Sequence, residues 1–186
     1  VKVVAFFSDA DVNTFRWVND QRLVFDLADR QLAQGALRYG AGLYAVNADG
    51  GNYRQLVTRN ESRQNKRAIL MLPWNTFLLQ SIGDQQSDDV FVVQPDFTRP
   101  GEIHDLALLR LNTSTGISRT VAQPAGARNW LFDKQGQLRI AQAPDGGNEV
   151  TYYRDSAEAP WRVLARFDAY HGGKDAFSPA FFAPDG

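Results

Sequence analysis

Apolar and polar residues alternate along the chain in short runs, each closed by a turn rich in Gly, Asn or Asp. Leu23, Phe25 and Leu27 alternate with Arg22, Val24 and Asp26, which is the period of a half-buried strand. Phe15–Leu27 therefore reads as strand, tight polar turn, strand. Phe77–Val93, turning through Gly83–Asp88, and Trp130–Gln142, turning through Asp133–Gly136, read the same way. A second kind of hairpin lies between these units. The segment Gly42–Val57 is an apolar strand, a Gly-rich turn and another strand, and a shift of 65 residues lays it on Ala107–Ala122 without a gap. Tyr44 then meets Leu109, Val46 meets Leu111, Asn47 meets Asn112, Gly51 meets Gly116, Arg54 meets Arg119 and Leu56 meets Val121. A further shift of 43 brings in Tyr152, Arg162 and Leu164.

The opening segment Val1–Phe7 matches Trp161–Phe167 in character, so Lys2, Arg54, Arg119 and Arg162 share one strand position. Two hairpins per repeat make four antiparallel strands, and radial repetition of such sheets is the sequence signature of a propeller. The predicted fold class is all-β: a β-propeller fragment of about three to four four-stranded antiparallel blades spanning residues 1–186. Residues 1–7 read as the last strand of a preceding blade, 14–58, 75–123 and 128–168 as three blades, and 177–186 as the first strand of a further one. Insertions at Arg30–Gly40, Thr58–Leu72 and Pro95–Glu102 account for the uneven spacing. A blade sandwiched between neighbours buries both faces, which explains apolar residues at outward-phase positions such as Val24 and Leu109. The chain begins on a strand under way and stops on the turn signal Pro184-Asp185-Gly186, so it is expected to be a piece of a longer polypeptide.

Composition narrows the partners. The 186 residues are 44% hydrophobic and 12% aromatic, ample for a packed core. Twenty basic residues stand against 21 acidic ones, a formal net charge of -1, which favours neither nucleic acid nor an anionic membrane as partner. No apolar run approaches the roughly 20 residues of a membrane-spanning helix. Cysteine is absent, which excludes disulfides, thiolate metal sites and Cys nucleophiles. Cytoplasm and bacterial periplasm both remain open as compartments.

Side chains that could carry chemistry have plainer readings. His104 and His171 stand in loops without further ligands at metal-binding spacing. No Gly-x-Ser-x-Gly elbow occurs. Asp49-Gly50-Gly51 and Asp145-Gly146-Gly147 read as hairpin turns and not as phosphate cradles. The glycosylation patterns Asn60-Glu61-Ser62 and Asn112-Thr113-Ser114 are short enough to arise by chance. Asp9 with Asp11, and Asp88 with Asp89, read as turn carboxylates bonded to backbone rather than as acid–base or calcium groups. Trp17, Trp74, Trp130 and Trp161 are expected to pack between blades; the alternative is a ligand groove. No catalytic, cofactor-binding or metal-ligating residue is assigned, and no cofactor.

Phe15–Phe25 with the preceding Phe7-Ser8-Asp9-Ala10-Asp11-Val12, Asp88–Val93, and the closing Phe177-Ser178-Pro179 and Pro184-Asp185-Gly186 resemble the propeller of bacterial prolyl oligopeptidase-family serine peptidases. The last element is shared with TolB-like propellers. The resemblance implies an N-terminal propeller that caps a C-terminal α/β-hydrolase domain of the same longer chain and limits access to short peptides. The triad-bearing domain has no counterpart in these residues, and the paired Glu of some dipeptidyl peptidases is not found. The resemblance thus implies a gating, substrate-selecting propeller with no catalysis of its own. The other readings are a TolB-like module that binds protein partners, or a lactonase- or sialidase-like propeller with chemistry at its centre.

Overall fold

The computed structural model describes residues 2–28, 40–59, 71–97, 103, 105–174 and 176–183. Among them lie three four-stranded antiparallel sheets in which each strand is hydrogen-bonded to its sequence neighbour. The all-β propeller-blade architecture expected from the hairpins is what the chain forms. Most of the three insertions, together with Asn60-Glu61-Ser62 and His104, fall outside the described residues.

Two compact units make up the chain: Val1–Pro95 with Ala107–Val121, and Asp96–Leu106 with Ala122–Gly186. In the first unit, β1 (Asp11–Asn19), β2 (Arg22–Ala28), β3 (Leu43–Asn47) and β4 (Arg54–Val57) form one sheet. The other sheet comprises β5 (Phe77–Ser81), β6 (Asp89–Pro95), β7 (Leu106–Asn112) and β8 (Ser118–Thr120). Val24 pairs with Ala45 and Phe25 with Tyr44 across β2 and β3, so the alternation sends one pair to each face. Val24, Leu43, Ala45 and Leu56 pack with Val90, Val92, Leu109 and Leu111 of the neighbouring sheet in one buried core. Val24 and Leu109 are buried as the two-faced reading requires.

The opposite face carries Phe25, Leu27, Tyr44 and Val46, and Val4, Ala5, Phe7 and Ala10 cover it. Phe7 meets Tyr44 edge-on at 5.3 Å between ring centroids, and Tyr44 stacks on Phe25 at 5.6 Å. Buried side chains of this size contribute about 1.5–3 kcal/mol each through removal of apolar surface from water. Residues 2–7, expected as a strand, have no ladder partner among the described residues. Their burial comes from side chains alone: Val4, Ala5 and Phe7 turn to the sheet face, while Val3 and Phe6 face solvent. Likewise no ladder is formed by residues 176–183, and 184–186 lie outside the described residues.

The second unit holds β9 (Asn129–Phe132), β10 (Leu138–Asp145), β11 (Asn148–Tyr153) and β12 (Arg162–Asp168). Leu138, Ile140, Ala141, Ala143 and Val150 are buried. Two arginines here complete backbone bonding. Arg154, 5% exposed, donates from Nε to the Leu138 carbonyl at 2.7 Å and from Nη1 to the Ala157 carbonyl at 2.8 Å. Arg139 donates to the Arg154 carbonyl, Asp133 and the Tyr153 hydroxyl.

The sequence repeat coincides with a repeat of register. Ala45 pairs with Arg54, Arg110 with Arg119 and Tyr153 with Arg162. These rungs are carried onto one another by the same 65- and 43-residue shifts that align the sequence. The turns between are freer. The expected match of Gly51 with Gly116 is not conformational: left-handed backbone falls on Gly50 (φ 82°) and Asn52 (φ 48°) in the first hairpin and on Gly116 (φ 79°) in the second. Glycine suits such positions because it has no Cβ to clash.

Leu111, fully buried in the shared core, sets the first expected outcome. Leu111→Ala should lower unfolding free energy by about 2–5 kcal/mol in urea titration. Val163→Ala on the exposed strand β12 should stay within about 0.5 kcal/mol.

Candidate functional site

In an antiparallel meander the β1–β2 and β3–β4 turns emerge at the same end of the sheet. The first unit thus gathers the turns after β1, β3, β5 and β7 at one rim. Between them lies a cavity of about 570 Å³, walled by carboxamides, Asp20, Asp88, Ser114 and the guanidinium of Arg22.

Arg22 opens β2 and is 1% exposed, one of the largest fully buried side chains. Its Nε–H donates to Thr113 Oγ1 at 2.8 Å and Nη2 donates to the Thr113 carbonyl at 2.7 Å. Nη1 donates to Asn47 Oδ1 at 2.6 Å and to the Asn52 carbonyl at 3.2 Å. Burial pushes its pKa down, Asp88 opposes that, and Arg54 adds to it. An arginine starts so far above neutrality that it stays cationic. The guanidinium fork therefore makes four charge-assisted hydrogen bonds. Two tie β2 of the first sheet to Thr113 in the turn after β7 of the second, and two go to Asn47 and Asn52 at the β3–β4 turn of its own sheet.

Asp88 is the anionic half of this network. Oδ1 accepts from Asn19 Nδ2 at 2.9 Å, Oδ2 accepts from the Ser114 hydroxyl at 2.6 Å, and its carbonyl accepts from the Thr113 N–H and hydroxyl. Asn52 Nδ2 donates to Ser114 Oγ, and the Asp20 N–H donates to Gln85 Oε1 at 2.7 Å. Groups of this kind offer both donors and acceptors for hydrogen bonding. Ser114 gives its hydroxyl to the Asp88 carboxylate, and no histidine stands among the described residues of the wall.

The expectation that Asp88 and Asp89 serve their own turn backbone is corrected here. Their carboxylates take side chains of other elements: Asn19 and Ser114 for Asp88, Arg110 and Asn112 for Asp89. Asp9 lies in an ion pair with Arg59 at 2.9 Å. In the triplet Asn112-Thr113-Ser114, Asn112 Oδ1 accepts from the N–H groups of Ser114 and Thr115, as a turn residue does. His171 is exposed and lies 3.1 Å from Asp168. Trp161 and Trp130 are half-buried, the first beneath the Arg154 guanidinium at 4.5 Å and the second donating to Gln123. Trp17, expected to pack between blades, is instead half exposed on β1, whose residues 11–17 are open to solvent on both faces.

Arg22 and Asn19 were missed as site residues from the sequence. Arg22 stands in the polar phase of an alternating strand, and the only signal was that this phase also holds Val24.

No protein-family model matches the chain, and no curated protein matches it. Among solved structures it is similar to the β-propeller domain of the Trilobed protease from Pyrococcus furiosus, described as having an open velcro topology. The identity is 10% and the TM-score 0.46, over 88% of this chain and 44% of that one. It is also similar to TolB from Acinetobacter baumannii, at 15% identity and a TM-score of 0.48, over 89% of this chain and 34% of that one. The chain thus spans less than half the length of either structure, and the likeness concerns the fold alone.

Two outcomes follow. Arg22→Ala should cost at least about 2 kcal/mol in urea denaturation, because each orphaned buried acceptor costs about 1–3 kcal/mol. Arg22→Lys should recover only part, since an ammonium cannot reproduce the fork. Asp168 has its pKa lowered, first by the His171 N–H and then by the Tyr170 N–H. A carboxylate depressed in the folded state adds stability above its unfolded pKa and loses it as pH falls through the folded pKa. NMR titration should find Asp168 below the ordinary range, and Asp168→Asn should remove that acid-side dependence.

Proposed function

We propose that this chain is the gating, substrate-selecting propeller portion of an oligopeptidase-like serine hydrolase, non-catalytic on its own. Its partners in this reading are the C-terminal α/β-hydrolase domain of the same longer chain and a peptide substrate. The observation that carries the reading is the rim cavity, whose wall is rich in carboxamides and has little apolar surface. An extended peptide presents alternating N–H donors and C=O acceptors, and side-chain amides offer the complementary pair at each step. Recognition of this kind tolerates many side-chain sequences, as a filter for peptides must. The resemblance of Phe15–Phe25 and Asp88–Val93 to the oligopeptidase propeller supports the same assignment from the sequence side.

Buried Arg22 keeps the cavity in shape by tying the two sheets together, so selection would depend on a rigid rim. The TolB-like reading, a module that binds protein partners, differs in requiring no hydrolase.

Labelling the polypeptide of the complete reading frame with a fluorophosphonate probe separates the two. The proposal expects labelling of the complete polypeptide, none of the present 186 residues alone, and cleavage of a short peptide but not of the same sequence inside a folded protein. A complete polypeptide that takes no label, and is recovered with a stable protein partner, would reject it.

A further inference from the structure

The fourth strand of each sheet carries an arginine at one equivalent rung, and the three arginines meet different fates. Arg162 lies over the ring of its rung partner Tyr153, 4.9 Å from the centroid, and 3.5 Å from Asp155. Arg54 is half-buried opposite Ala45. Arg119 is exposed and stands directly opposite another cation, Arg110. Like charges on one rung repel and cost stability. Only half of that charge is neutralised. Arg110 Nε donates to Asp89 Oδ2 at 2.6 Å, and the other oxygen of Asp89 accepts from Asn112 Nδ2 at 2.7 Å. Both Asp89 oxygens are thus engaged, while the Arg119 guanidinium has no hydrogen bond or ion pair among the described residues.

The pair overlooks a second cavity in the first unit, of about 420 Å³, lined by Asp89, Arg110, Asn112, Thr115, Ile117 and Arg119. Asn112 also lines the amide-rich rim cavity, so the two spaces share that residue as a wall. We infer that the Arg110–Arg119 rung is a carboxylate site that selects an acidic side chain in a peptide lying along the rim, an inference that rests on the peptide-binding reading of the rim cavity. A carboxylate presents two oxygens in a plane and matches the guanidinium donors left over at this rung. Exposed Ile117 supplies an apolar wall for the aliphatic stem of a glutamate. Arg162 marks the contrast: its charge is already answered by Tyr153 and Asp155.

The test titrates the chain with two capped tripeptides, acetyl-Ala-Glu-Ala-amide and its Gln counterpart, read by NMR shifts of the arginine Nε–H signals. The Glu peptide should bind about fivefold more tightly or better, as expected for charge-assisted hydrogen bonds at a solvent-facing site. Arg119→Ser should erase the difference, whereas Arg162→Ser in the third blade should leave it intact. Equal binding of the two peptides, or a Glu preference that survives Arg119→Ser, overturns the inference while sparing the peptide reading. Failure of both peptides to bind removes the peptide reading itself, and this site with it. Inorganic phosphate that displaces the Glu peptide at equal concentration would assign the pair to phosphate and overturn the carboxylate assignment.

Discussion

A sheet that is apolar on both faces cannot stand alone in water, and this constraint governs the chain. In the first sheet, Val24 and Ala45 point one way and Phe25 and Tyr44 the other, all of them buried. Burying one face against the second sheet leaves the other requiring cover, which the segment holding Val4, Ala5 and Phe7 supplies. Stacking of four-stranded units is the arrangement that meets this demand repeatedly with a single building block. Each added sheet buries one face and offers the next.

The network around Arg22 follows from the same packing. Once two apolar sheets are pressed together, the polar turns at their ends are brought within bonding reach, and their donors must find acceptors there or remain exposed. Arg22 answers Asn47, the Asn52 carbonyl and Thr113 at once. A charge so deeply buried is tolerated because each nitrogen of its fork has an acceptor and Asp88 stands nearby. The rim cavity is what remains between turns held apart by this framework, and its lining is polar for the same reason that the turns are.

Period-two alternation was enough to find the strand pairs, because it reports which residues share a face. The all-β blade architecture was legible from it, and the rung equivalence of Arg54, Arg119 and Arg162 from gap-free repetition. Alternation is silent about what the neighbouring sheet presents to each face. Arg22 looked like a solvent-facing residue, and Asp88 and Asp89 looked like turn carboxylates, because their partners lie in other elements distant in sequence. Trp17 erred in the opposite direction: its bulk pointed to burial, yet it lies on the exposed edge strand β1. Residues 2–7 have a strand's pattern without a ladder partner among the described residues, since hydrogen-bond pairing needs a second chain segment that a one-dimensional pattern does not supply.

Shared register is the claim on which the rest stands, because slipping any strand by one residue would turn its buried set to solvent. Cross-strand backbone NOEs measure it directly. Close proton contacts should join Ala45 to Arg54, Arg110 to Arg119 and Tyr153 to Arg162, one rung in each sheet. A set in which any of these arginines faces a residue one place away, or no strand at all, would contradict the account.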